Sequence, residues 1–167
     1  MPAPIPYEFL KPVPAFDLTS TDVQDGGTLS QDQVFDDWGH SGGNISPQLA
    51  WSGFPEGTRS FAITVYDPDA PTGSGFWHWL TWDIPAGVTS VERGAPEIGT
   101  TGRNDYGQNA FGGAGPPAGE THRYIFAVHA LDVAELGVPA DATTGQIGFN
   151  IVAHTIGRAY IVASYGS

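Results

Sequence analysis

The sequence predicts a mostly β protein built on antiparallel sheet, and three observations carry that prediction. Short runs of alternating apolar and polar residues recur along the chain, at the period of two that a half-buried strand requires. Glycine (23) and proline (14) are spread between those runs rather than gathered into one linker, so they read as turns. One stretch near the C-terminus carries apolar residues at helical spacing.

The elements follow in order. Residues 1–15 form a proline-rich N-terminal arm, and the whole of 1–167 reads as one domain, with no repeat or charge block to divide it. "FDLTS" (16–20) is the first expected strand, and "SPQLAWSGFP" (46–55) contains the next. "RSFAITVYD" (59–67) sets Phe61, Ile63 and Val65 on one face against Ala62, Thr64 and Tyr66 on the other. "HWLTWDIP" (78–85) and "HRYIFAVHALD" (122–132) are further strands. The helix is expected from about Gly145 to Arg158, with Ile147, Ile151 and His154 at i, i+4 and i+7. "AYIVASYG" after it reads as a closing strand.

Composition excludes several functions. The net charge is −12, with Lys11 the sole lysine and five arginines, which argues against nucleic acid and anionic membranes as partners. Any anion must be held locally, against the overall field. Cysteine is absent, so there is no disulfide, thiolate or cysteine metal site. No basic region precedes an apolar run at the N-terminus, and no apolar stretch is long enough to cross a bilayer, so the expected location is the cytoplasm. There is no G-x-S-x-G elbow, no tight metal-ligand pair and no nucleotide loop, because the prolines of "GGAGPPAG" block the helix such a loop needs. No cofactor is expected.

The chemistry-bearing residues cluster at strand ends. Asp67 and Asp69, in "DPDAP", close one strand and are two residues apart, so extended geometry points both to one side. His78 begins the next strand, and a hairpin-like return brings it beside them. His122 and Tyr124 share one face at the start of another. The glycines of "FGGAGPPAGETHRY" (111–124) let backbone N–H groups approach a ligand, while Pro116 and Pro117 stiffen the loop. Imidazoles, a phenol and exposed amides suit a phosphate or carboxylate group. The two histidines and an aspartate also suit acid–base work or a metal. Each piece alone has a plainer reading: DPDAP a turn, the glycine–proline run a rigid loop. His129 and His154 are assigned structural places, and His40, in a polar loop, no role.

Together these segments resemble the phosphatidylethanolamine-binding protein family, most closely its bacterial Raf-kinase-inhibitor-like branch. The resemblance rests on "GGNISPQLAWSGFPEGTRSFAITVYDPDAP", "FWHWL", "GRNDYGQNAFGGAGPPAGETHRYIFAVHALD" and "NIVAHTIGRAYIVASYG", and spans residues 16 to 166. It implies a large antiparallel sheet packed on a smaller one, a C-terminal helix, and a small anion pocket at one end. It implies that Asp67, Asp69, Phe76, His78, Gly115, Pro117, His122 and Tyr124 line that pocket, and that the Ala70–Pro71 bond is cis. Two positions depart from the family loop: Phe111 replaces a tyrosine and Ala114 a proline, which predicts a looser loop with one phenol fewer.

The expected function is binding of a small phosphate- or carboxylate-like anion, with Asp67 orienting His78. Both imidazoles should then charge as the anion binds, so that affinity rises as pH falls through about 6.5. The alternatives are an acid–base enzyme on a small carboxylated or phosphorylated metabolite, and a protein inhibitor of a kinase or serine protease, as the resemblance implies. A homodimer is expected as well, with the five tryptophans supplying aromatic surface.

Overall fold

The structure, a computed structural model, describes residues 2–167. Eight strands form two antiparallel sheets. The smaller holds β1 (Asp17–Thr19), β2 (Leu49–Ser52) and β5 (Ser90–Val91) in the order β1-β2-β5. The larger holds β3 (Ser60–Asp67), β4 (Phe76–Pro85), β6 (Thr100–Thr101), β7 (Thr121–Leu131) and β8 (Thr155–Gly166) in the order β6-β4-β3-β7-β8. Central β3 therefore lies between β4 and β7, and both run antiparallel to it.

The alternation in β3 sorts its side chains into two cores. Phe61, Ile63 and Val65 meet Leu49, Trp51 and Val91 of the smaller sheet, joined by Tyr124, Phe126 and Val128 from β7. Ala62 faces the other way, toward Leu80, Trp82, Leu131, Ile147 and Ile151 under the helix. With both faces covered, β3 is buried almost throughout.

The helix α1 runs from Thr144 to His154, four residues shorter at its end than the apolar spacing predicts. Thr143 caps it, accepting a hydrogen bond from the Gln146 N–H at 3.1 Å. It stops because residues from Thr155 onward pair with β7, where His129 lies opposite Arg158 and Leu131 opposite Thr155. The Thr155 hydroxyl bonds back to the Ile151 carbonyl at 2.6 Å and completes the change of direction.

The N-terminal arm crosses the outer face of the large sheet. Tyr7, in a single 3-10 turn over Pro6–Glu8, packs edge-on against His129, and the Arg158 guanidinium lies 4.4 Å from its ring centre. His129 accepts from Arg158 Nε at 3.1 Å, so it donates from Nε2 to Thr64 Oγ1 at 2.8 Å. Burial and the Arg158 charge hold it neutral. Among the described residues no helix is long and apolar enough to cross a membrane.

Candidate functional site

Antiparallel pairing brings the C-terminal end of β3 against the starts of β4 and β7. Asp67 pairs with Phe76, and Tyr124 falls beside Asp67 because Tyr66 pairs with Ile125. His78 reaches the same face through a bulge. Val65 pairs with Trp79 and Tyr66 with Trp77, which leaves His78 as the extra residue on β4. A bulge re-aims the side chain it carries.

A cavity of about 190 Å³ opens here, lined by Asp67, Phe76, His78, Gly115, Pro117 and His122 from among the expected residues. The turn Ala70–Thr72, whose DPDAP start the sequence marks, completes its wall with Trp38 and Tyr106, neither of which the sequence singles out. Tyr124 lies just behind, its ring 5.2 Å from the His78 ring in edge contact. Its hydroxyl is buried, and the nearby Gly115 amide falls short of full hydrogen-bond geometry with it. A second hollow of about 240 Å³, at Trp79, Asn109 and Phe111, carries one carboxylate, Glu97, and no histidine.

Asp69 departs from expectation. Its carboxylate takes Arg123 Nε at 2.9 Å and Nη2 at 2.7 Å, with the Arg123 backbone N–H at 2.9 Å, and lines a hollow beside the arm instead. Those bonds hold its pKa below the ordinary carboxylate value. Period-two reasoning fails because the strand ends at Asp67, and Asp69 already lies in the turn. The turn closes through Asp67 Oδ1, which accepts the Asp69 N–H at 2.8 Å, and through the Thr72 N–H bonding the Ala70 carbonyl across Pro71 at 2.8 Å. The Ala70–Pro71 bond is trans, correcting the expected cis form. The trans isomer is the intrinsically preferred one, by about 0.5–1 kcal/mol.

The partner of Asp67 is likewise corrected. Asp67 Oδ2 accepts from His122 Nδ1 at 2.7 Å, not from His78. His122 Nε2 meets a second carboxylate, Glu120 Oε1, also at 2.7 Å. A carboxylate only accepts, so this geometry calls for a proton on both ring nitrogens and favours the imidazolium form of His122. Burial opposes that charge, but Glu120 and Asp67 outweigh it and raise the pKa. Asp67 is itself raised, because its burial exceeds what His122 and the Asp69 amide return.

His78 is the opposite case. Its Nδ1 faces the carbonyls of Gly112 at 3.0 Å and Gly113 at 3.1 Å, so Nδ1 donates and Nε2 is a bare acceptor at the cavity. Burial dominates and lowers its pKa to about 4. The cavity thus offers one charged donor at His122 and one neutral acceptor at His78, where two charging imidazoles were expected.

The loop over the site is tied down, contrary to the looseness that Phe111 and Ala114 predict. Its amides are spent on the protein: Gly112 N–H to His78 O, Gly113 N–H to Asn44 Oδ1, Ala114 N–H to Gln33 O. The missing phenol has a substitute, because Tyr106 donates to the Gly113 carbonyl at 2.8 Å. Gly115 allows that approach, since a Cβ there would stand 2.7 Å from the Tyr106 hydroxyl. Phe111 packs edge-on against Trp79 instead. Tyr106 stacks on Phe35 at 3.8 Å and meets Phe76 and Trp38 edge-on. Trp38 holds a left-handed backbone (φ 55), a strained state for a bulky residue that aims its ring at the cavity rim.

Fold and site define a class: a two-sheet β protein with one small, aromatic-walled, histidine-lined cavity at a strand end. Comparison with known proteins gives the family. The model of the phosphatidylethanolamine-binding protein family matches residues 19–166. Escherichia coli YbhB is 44% identical over 155 residues, covering 89% of this chain and 98% of its own. The crystal structure of Escherichia coli YbcL, described as a member of the mammalian PEBP family, matches with a TM-score of 0.87 at 44% identity, covering 91% of this chain and 98% of that one. A homologue from Chlamydia trachomatis matches at 0.80 and 27% identity, covering 92% and 98%. This chain belongs to the phosphatidylethanolamine-binding protein family.

Proposed function

We propose that the chain binds a small oxyanionic group, phosphate- or carboxylate-like, in the cavity between His78 and His122. One observation carries this reading: the buried Asp67 carboxylate stands 2.7 Å from His122 Nδ1 at the cavity wall and favours its cationic form, in a chain whose net charge is −12. Without such a local cation the overall field would repel an anion. His122 Nε2–H donates to one ligand oxygen, and His78 Nε2 accepts from a ligand hydroxyl. A singly protonated phosphoryl group, the dominant form below its second pKa of about 6, offers both. A carboxylate offers acceptors alone. Trp38, Phe76 and Tyr106 cover the apolar part of whatever carries the anion.

Titration calorimetry with inorganic phosphate tests this. The wild type should bind saturably, and affinity should fall as pH rises through the raised pKa of His122. His122→Ala should lose binding. If His122→Ala binds phosphate as tightly as the wild type, the reading is wrong.

The pair of histidines also favours one second reading. A cationic donor and a neutral base facing one cavity are the two halves of acid–base catalysis, their pKa values pushed apart by environment. A phosphomonoester or small carboxylated metabolite consumed in the presence of the chain would support it.

A further inference from the structure

We propose that the Glu120 carboxylate is a built-in competitor for the ligand anion, and that a ligand binds by displacing it from His122 Nε2. The inference rests on the anion-binding reading above. His122 holds two carboxylates at the same 2.7 Å, but the two are unlike. The Asp67 side chain is 4% exposed and has a second anchor in the Asp69 N–H. The Glu120 side chain is 46% exposed, and His122 is its one partner. Asp67 is thus the fixed partner of the ring, and Glu120 is the exchangeable one.

A single N–H proton serves one strong acceptor, so Glu120 and a ligand oxygen exclude each other at Nε2. The glutamate does not drift from this place, because its backbone is pinned on both sides. Its N–H bonds the Pro117 carbonyl at 3.0 Å, its carbonyl accepts from Ser167 N–H at 3.2 Å, and the Gly119 N–H bonds Ser167 O at 3.0 Å. A carboxylate on so short a tether acts at an effective concentration in the millimolar range.

Displacement therefore sets specificity. A free monocarboxylate exchanges like for like and gains little over the tethered group. A singly protonated phosphoryl group matches the carboxylate's charge at His122 and adds a hydroxyl for His78, which Glu120 does not supply in its place. Glu120 thereby rejects small carboxylates at ordinary concentrations and admits phosphoryl groups.

The test measures inorganic phosphate and acetate binding by calorimetry at about pH 6, below the raised wild-type pKa of His122, in the wild type, Glu120→Ala, Glu120→Gln and His122→Ala. Glu120→Ala should bind phosphate about tenfold more tightly, the equivalent of one charge-assisted bond no longer exchanged at a half-exposed group. Glu120→Gln, which keeps an acceptor but not the charge, should fall between. Acetate binding should become measurable in Glu120→Ala. If phosphate affinity is unchanged or weaker in both glutamate variants while His122→Ala abolishes it, the competitor is overturned and the anion site stands. If no variant and not the wild type binds phosphate, both readings fall.

Discussion

Asp67→Asn isolates the group that keeps His122 charged. The wild-type carboxylate accepts two buried hydrogen bonds, His122 Nδ1–H at 2.7 Å and the Asp69 N–H at 2.8 Å. Asparagine has one acceptor and one NH2, so it serves one of them. If its oxygen stays on Asp69, its NH2 faces Nδ1 and forces His122 into the neutral form with a bare Nδ1. If the oxygen turns to His122, the turn loses its closing bond. Either way one buried charge-assisted bond is lost, about 1.5–3 kcal/mol gross. Relief of the carboxylate's own burial, which already raises its pKa, returns part of that, so the net cost should be about 1–2 kcal/mol near neutral pH.

The sign with pH follows from the raised pKa of His122. A group whose folded pKa exceeds its unfolded value stabilises fully below the unfolded value, about 6.5, and loses that contribution as pH rises through the folded pKa. The wild type should therefore lose stability above about pH 6.5, and Asp67→Asn should flatten that decline. Nitrogen-15 NMR of the imidazoles reads the titration directly, and urea unfolding across the same range reads the linkage. In the variant the His122 pKa should drop, because burial then opposes the charge with Glu120 alone against it. If His122 titrates unchanged in Asp67→Asn, or stability declines over the same window, Asp67 is not what charges it.

Two further outcomes are expected. Asp69→Asn should cost about 1–2 kcal/mol by urea unfolding, through the lost charge on Arg123, while leaving phosphate affinity within about twofold. Because the Asp69 pKa is depressed, its contribution is present above the unfolded carboxyl pKa, and the difference from wild type should vanish as pH falls through the folded one. In sedimentation the chain should give twice 17.6 kDa at micromolar concentration, with Phe149→Asp shifting it to monomer. The exposed apolar surface lies at Phe149, Phe9, Trp38, Tyr160 and Val152, whereas Trp51, Trp79 and Trp82 are buried in the core.

Much of the frame was legible in the chain. A period of two along 59–67 and 122–132 placed Phe61, Ile63 and Val65 on one face and set His122 and Tyr124 together, because side-chain alternation in a strand is local geometry. The short return from β3 to β4 brings His78 back to Asp67, because antiparallel neighbours meet where the chain turns, and the pairing of β7 on β3 adds His122. The sequence by itself determined the mostly β class, the neighbourhood of the site, and that any anion would need a local cation. Tertiary structure decided the pairings inside that neighbourhood. A one-residue bulge aims His78 at the Gly112 and Gly113 carbonyls and leaves Asp67 to His122. Arg123, one residue beyond His122, draws Asp69 out of the cavity. Tyr106 and Trp38 arrive from loops with no periodicity to announce them, and β7 claims residues 155–158 from the predicted helix. Hydrogen-bond partnership is settled within a few tenths of an ångström and by burial, and both quantities exist only once distant segments have packed together.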